Sequence, residues 1–144
     1  MSREILFRGK RADNGEWVEG YFVKTKLGKD TSPSDVVFVP WKENRNEEWG
    51  WIKVNPETLC QYTGLTDKNG KKIWENDIIK TSRYGKDDGK GSNFAGFDIF
   101  SVRWDDGGFA LYSKWRRFNL RDNNEYEVIG NIFDNPELLG VEHE

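Results

Sequence analysis

Along most of the chain, large apolar residues alternate with polar ones in short windows, and the windows are bounded by Gly, Asn, Asp and Pro. A period of two sorts side chains to opposite faces of an extended backbone, so the pattern predicts strands separated by turns. The first part of the chain is expected to form strands over EILFRG (4–9), EWVEGYFVK (16–24), DVVFVPW (35–41) and WGWIKV (49–54). Pro40, which cannot donate to a strand ladder, marks the third as ending at a sheet edge. KLGKDTSPSD and KENRNEE between these windows are polar enough to be solvated loops. NPET (55–58) is a turn or short helical start, and TLCQYTG (58–64) a connecting strand that places a lobe boundary between residues 57 and 58.

The second lobe, 58–144, is expected to hold strands at KIWENDIIKT (72–81), FDIFSVRW (97–104), FALYSKW (109–115) and EYEVIGNIF (125–133), with a long Gly-, Lys- and Asp-rich loop over 82–96. DDGG (105–108) suits a tight reversal, so 97–104 and 109–115 should pair as a hairpin. Period two then puts Phe100, Val102 and Trp104 on one core-facing side, and Phe109, Leu111 and Trp115 on another. DNPELL (134–139) is the one convincing helix start, with Asn135 as N-cap, Pro136 in first position and Glu137 suited to the helix dipole. A single turn is expected there.

Composition supports this reading. The chain has 144 residues, of which 35% are hydrophobic and 33% charged, a polar balance offset by 15% aromatic residues that each bury a large area. Alanine is scarce while aromatic and β-branched residues are plentiful, which favours an all-β chain of one compact unit with two lobes. The net charge of −3 argues against non-specific coating of nucleic acid, although a local basic patch stays open. Cys60 is the only cysteine, so no intramolecular disulfide can form. MSREILFRGKRADNG lacks the apolar core of a signal peptide, and no apolar run approaches the length of a membrane span, so a cytoplasmic location is expected.

The motifs that could carry chemistry mostly resolve into turns. In YTGLTDKNGKKIWENDII (62–79), Asp67 and Asn69 invite a calcium loop, but Lys71 and Lys72 occupy the positions where an acceptor and a glycine are needed, and a β-turn explains the stretch. The Gly-rich loop around Gly85 and Gly89 has neither the Walker A nor the dinucleotide spacing. Asp105 with Asp106 reads as turn chemistry. Glu75 and Asp77 would share a strand face and form the better carboxylate pair for an enzyme, yet Asp77 is better explained as fixing a strand entry through the backbone. His143 lies in the tail and Cys60 in an apolar strand, so neither is expected to react. No catalytic residue, cofactor site or metal site is assigned.

A weak internal echo links Phe7, Gly9, Asp13, Asn14, Gly15 and Trp17 with Tyr62, Gly64, Asp67, Asn69, Gly70 and Trp74. Shared turn chemistry accounts for it as well as an ancestral repeat does. The one basic-aromatic cluster is KWRRFNLR (114–121). Lys114, Trp115, Arg116, Arg117 and Arg121 could pair with phosphates and stack on bases, and Lys68, Lys71 and Lys72 could join them if the fold brings the two sets together. The competing reading buries Trp115, Phe118 and Leu120 and leaves the arginines as a solvated rim.

Three blocks, REILFRGKRADNGEWVEG, QYTGLTDKNGKKIWENDII and EVIGNIFDNPELL, resemble the signature blocks of the YopX-like family of phage and prophage proteins, in the family's order. Asn76 departs from the glycine usual there, but Asn is the residue other than Gly best able to adopt the left-handed conformation. The resemblance implies an all-β fold in which about residues 60 to 133 close into a small SH3-like barrel, and a phage or prophage setting in the bacterial host. It supplies no reaction, ligand or catalytic residue. The expected function is a non-catalytic accessory protein that binds an unidentified host or phage protein. Single-stranded nucleic-acid binding through 114–121 is the alternative, and self-association stays open because strand edges and seven Trp are available.

Overall fold

The computed structural model of the protein describes residues 5–29, 32–40, 50–83, 96–114, 116–122 and 125–140. Residues 84–95 of the Gly-rich loop, Trp115 and His143 lie outside the described residues. The chain divides into two compact units, Met1–Tyr62 and Thr63–Glu144. Both are antiparallel β structures, as the alternating pattern predicts. No helix among the described residues is long and apolar enough to cross a membrane.

The first unit contains β1 (Phe7–Lys10), β2 (Trp17–Thr25), β3 (Ser34–Val39), β4 (Gly50–Lys53) and the first residues of β5 (Cys60–Thr66), neighbouring one another in the order β4-β3-β2-β1-β5. Register fixes which side chains share a face. Val37 and Val39 of β3 and Ile52 of β4 point to one side and, with Val54, form a buried cluster against Val18 and Leu59. β3 does stop at Val39, before Pro40, but it lies between β2 and β4 and is not an edge strand. Pro40 falls beyond the last paired residue, so its missing N–H removes no ladder bond. Gly20 of β2 sits where β3 comes so close that an added Cβ would overlap the Phe38 carbonyl oxygen and lie 2.9 Å from its carbon. A 3-10 turn over Pro56–Thr58 follows, capped by the Asn55 side chain accepting from the Glu57 N–H at 3.2 Å. Its Thr58 hydroxyl accepts from the Lys10 N–H at 2.8 Å, tying the turn to β1.

The second unit adds the rest of β5, then β6 (Lys72–Trp74), β7 (Asp77–Arg83), β8 (Gly96–Asp105), β9 (Gly108–Tyr112), β10 (Arg117–Asn119), β11 (Tyr126–Asn131) and one helical turn, α1 (Glu137–Gly140). β7 to β11 form a five-stranded sheet in the order β10-β9-β8-β7-β11. Ile79, Phe100, Val102, Leu111, Tyr126 and Val128 of this sheet bury one face, and Ile73 of β6 packs on them with Leu65, Phe109 and Leu120 at the margin. Among the described residues no pairing joins β10 to β11, so the sheet is open where the resemblance implied a closed barrel.

Several details differ from the sequence expectation. KIWENDIIKT is two strands, broken by a turn at Glu75 and Asn76, because Asn76 adopts φ 69° and sends the chain back. The Asp77 carboxylate accepts the Trp74 N–H at 2.7 Å across that turn, fixing the strand entry as anticipated. The β8–β9 hairpin uses only Asp106 and Gly107 as its loop, with φ 51° and 83°, since Asp105 already pairs with Gly108. Left-handed conformations at both loop positions match the right-handed twist of the strands. Trp104 is 50% exposed at the end of β8, where the core no longer reaches, and rests edge-on against Phe109 at 4.9 Å.

Asn135 does not use its side chain to cap α1. That carbonyl turns back to accept the Asn131 N–H at 3.3 Å, while the Asn135 backbone carbonyl accepts from Leu138 at 3.1 Å. It occupies the space a Cβ would need at Gly130, beside the register shift between Val128 and Gly130. Gly130→Ala is therefore expected to displace Asn135 and loosen α1, lowering stability by about 1–3 kcal/mol as read from urea unfolding.

Candidate functional site

The second unit carries a cleft of about 350 Å³ at the β10 edge of the sheet. Cross-strand register explains its floor. Val102, Leu111 and Phe118 lie opposite one another across β8, β9 and β10, so the core face of the sheet continues outward to its edge. Phe100 and Leu111 are buried, but Phe118, on a short edge strand, is 49% exposed and meets Phe100 edge-on at 5.7 Å. Tyr126, from β11, closes the other side, and its hydroxyl accepts the Arg121 N–H at 3.3 Å. The cleft is thus the uncovered mouth of the hydrophobic core.

Charged groups surround this floor in both signs. Arg116 and Arg121 line the cleft, and so do Asp98 and Glu125. Arg116 approaches Asp98 at 3.5 Å. A ligand entering here would meet apolar and aromatic surface between alternating charges.

The expected basic cluster is divided by the strand itself. Arg117 falls on the opposite face of β10 from Phe118, where its Nε donates to Asp105 at 2.8 Å. Tyr112, across from Arg117 in register, donates its hydroxyl to the same carboxylate, and the guanidinium groups of Arg103 and Arg117 lie 5.1 and 5.7 Å from the Tyr112 ring. The Tyr112 hydroxyl and then Arg117 hold the Asp105 carboxyl below its ordinary range, and Asp105 in turn raises Arg117. Arg117 is therefore committed to the hairpin, where Asp105, the last residue of β8, serves as its partner while Asp106 makes the turn. Lys114 is exposed, and Trp115 lies outside the described residues.

Lys68, Lys71 and Lys72 belong to the β5–β6 turn. Lys68 pairs with Glu127 of β11 at 3.5 Å, Lys71 is exposed, and Lys72 is the half-buried first residue of β6. None of the three lines the cleft. The turn itself is organised by Asp67, which is only 6% exposed. One carboxylate oxygen accepts the N–H groups of Asn69 and Lys71, both at 2.9 Å, and the other accepts that of Val128 at 2.9 Å. Burial alone would push this carboxyl up. The N–H groups of Val128, Lys71 and Asn69, with the Lys71 charge, outweigh burial and leave it lowered. Asp67 is thus a structural anchor, and the calcium-like spacing reflects backbone donors in place of a cation.

Glu75 and Asp77 do not share a strand face, since the Asn76 turn separates them and Asp77 is 1% exposed. Cys60 is buried, its thiol donating to the Thr58 carbonyl at 3.1 Å. Thr81, Asp98, Asn119, Glu125 and Tyr126 line the cleft without being singled out by the sequence pattern. Phe118 was noticed, but as a core residue, because the position of β10 at an edge is not written in its three residues.

Among solved structures, the crystal structure of protein EF1440 from Enterococcus faecalis matches with a TM-score of 0.57 and 23% identity, over 96% of this chain and 99% of that one. It supports the fold. No curated protein matches. The family model described as YopX protein matches residues 6–140, nearly the whole length, and the chain belongs to the YopX family.

Proposed function

We propose that this chain is a non-catalytic phage or prophage accessory protein of the host cytoplasm, which binds a protein partner through the cleft at Phe118. The observation that carries this reading is the mixture of charge around an aromatic floor. Phosphates would be drawn to Arg116 and Arg121 but repelled by Asp98 and Glu125 in the same cleft. A polypeptide, with side chains of both signs and an apolar anchor, suits it better. The resemblance of the three sequence blocks supports the phage setting. We also read residues 60–133 as an SH3-like small barrel, supported by two bonds from the β5–β6 turn to β11: Lys68 N–H to the Tyr126 carbonyl at 2.9 Å and Val128 N–H to Asp67.

The test is capture from host lysate with wild type beside Phe118→Ala and Arg121→Glu. A protein retained by wild type, insensitive to nuclease and reduced at least tenfold in both variants is the expected result. Capture abolished by nuclease, or equal in all three, would reject the reading.

A further inference from the structure

The first unit presents a second surface, built from a different face and independent of the cleft. Tyr21, Phe38 and Trp51 are direct partners in register across β2, β3 and β4. Direct partners project to the same side, so the three rings form a row across the sheet, on the face opposite Val37 and Ile52. The Phe38 and Trp51 rings are 4.8 Å apart. Tyr21 is 46% and Trp51 57% exposed, which is unusual for rings of this size on a sheet.

Further along the same face, beside the row, lies a charged border. Glu19, two before Tyr21, faces Arg8 of β1, and Trp17 faces Lys10. Arg8 lies 4.6 Å and Lys10 5.4 Å from the Trp17 ring centroid. On the far side, Lys53 follows Trp51 at the i+2 position and is exposed. Among the described residues of this face, three cations therefore flank the rings against one carboxylate, in a chain whose overall charge is −3. Here the excess is positive, unlike the balanced cleft.

We propose that this face binds single-stranded nucleic acid, with bases stacked on Tyr21, Phe38 and Trp51 and phosphates drawn to Arg8, Lys10 and Lys53. Strands lie about 4.8 Å apart, so the rings meet to form one continuous aromatic surface on which bases can rest. Every base offers a π-face, which makes such a row tolerant of sequence. The positive border selects a polyanion over a neutral sugar chain, whose pyranose rings could also lie on aromatic rows. It also selects against a second copy of the chain, which would bring like charges together.

The experiment is fluorescence anisotropy of a labelled dT15 oligonucleotide, titrated with the full chain at low and at moderate salt. Salt-sensitive binding is expected, weakened about tenfold or more by Trp51→Ala and by Tyr21→Ala. Lys53→Glu is expected to weaken it and to flatten the salt dependence, whereas Phe118→Ala in the cleft should leave it unchanged. Circular dichroism of each variant confirms that the exposed substitutions leave the fold intact. No binding at low salt, or loss with Phe118→Ala and not with Trp51→Ala, would overturn the proposal. So would sedimentation showing self-association that Trp51→Ala abolishes while the oligonucleotide is ignored, or preferential binding of a neutral oligosaccharide. Because the lysate test depends on Phe118 and this one on Trp51, either reading can fail alone.

Discussion

Gly20→Ala is expected to cost about 3 kcal/mol or more, the upper end of what overpacking a close contact does. The added methyl would occupy the place of the Phe38 carbonyl oxygen, with its carbon at 2.9 Å and Val37 Cγ1 at 3.1 Å. A side chain can rotate away, but a carbonyl held in the β2–β3 ladder cannot move without spoiling the pairs on either side, from Tyr21–Phe38 to Val23–Val36. Chemical unfolding followed by tryptophan fluorescence reads the loss. A Gly20→Ala protein with an unchanged midpoint would show that β2 and β3 are held less closely than described. The neighbouring Gly9 offers a graded control, since its Cβ would meet only Val54 side-chain atoms at 3.0–3.3 Å.

Asp67→Ala is the second large effect. It leaves the N–H groups of Asn69, Lys71 and Val128 without their shared acceptor. Hydrogen bonds to a charged group contribute about 1.5–3 kcal/mol each, and part of that is recovered by water at the exposed turn, so a net loss of about 3 kcal/mol is expected. The titration sign follows from the direction of the shift. The folded carboxyl is lowered, so its contribution is fully present above the unfolded value near 3.8 and is lost as pH falls through the lower folded value. Unfolding measured between neutral pH and pH 3 should therefore show wild type losing stability on acidification more steeply than Asp67→Asn. Parallel curves for the two proteins would remove Asp67 from the account.

Much of the fold was legible because period-two alternation is a local property. The strands at 16–24 and 97–104, the hairpin at DDGG, the left-handed Asn76 and the short helical turn after Asn135 all depend on neighbours within a few residues. β10 was missed because Arg117, Phe118 and Asn119 are all exposed and carry no alternation in burial. Trp104 was placed in the core by period alone, yet a strand can run past the end of what it packs against. The break within KIWENDIIKT went unread although its cause, Asn76, had been recognised as able to turn.

The sites were less legible than the strands, for a related reason. KWRRFNLR was identified as a cluster by its sequence, but β pairing sends Arg117 and Phe118 to opposite faces, and only Arg116 and Arg121 of its cations line the cleft. The partners that define the cleft, Asp98 and Glu125, come from other strands and loops. The row of Tyr21, Phe38 and Trp51 is invisible until three separate strands are set in register. Alternation says that a residue points out, while register says what stands beside it.

Asp67 and Val128 are 61 residues apart in the chain, and the bond between them joins the β5–β6 turn to β11. During synthesis the ribosome releases the turn long before it makes its anchor, so the carboxylate must wait, solvated, until the C-terminal segment emerges. Completion of this unit is thereby timed by the synthesis of β11, and a nascent chain stalled short of Val128 would present a sheet with β7 unpaired on one side to the chaperones around it.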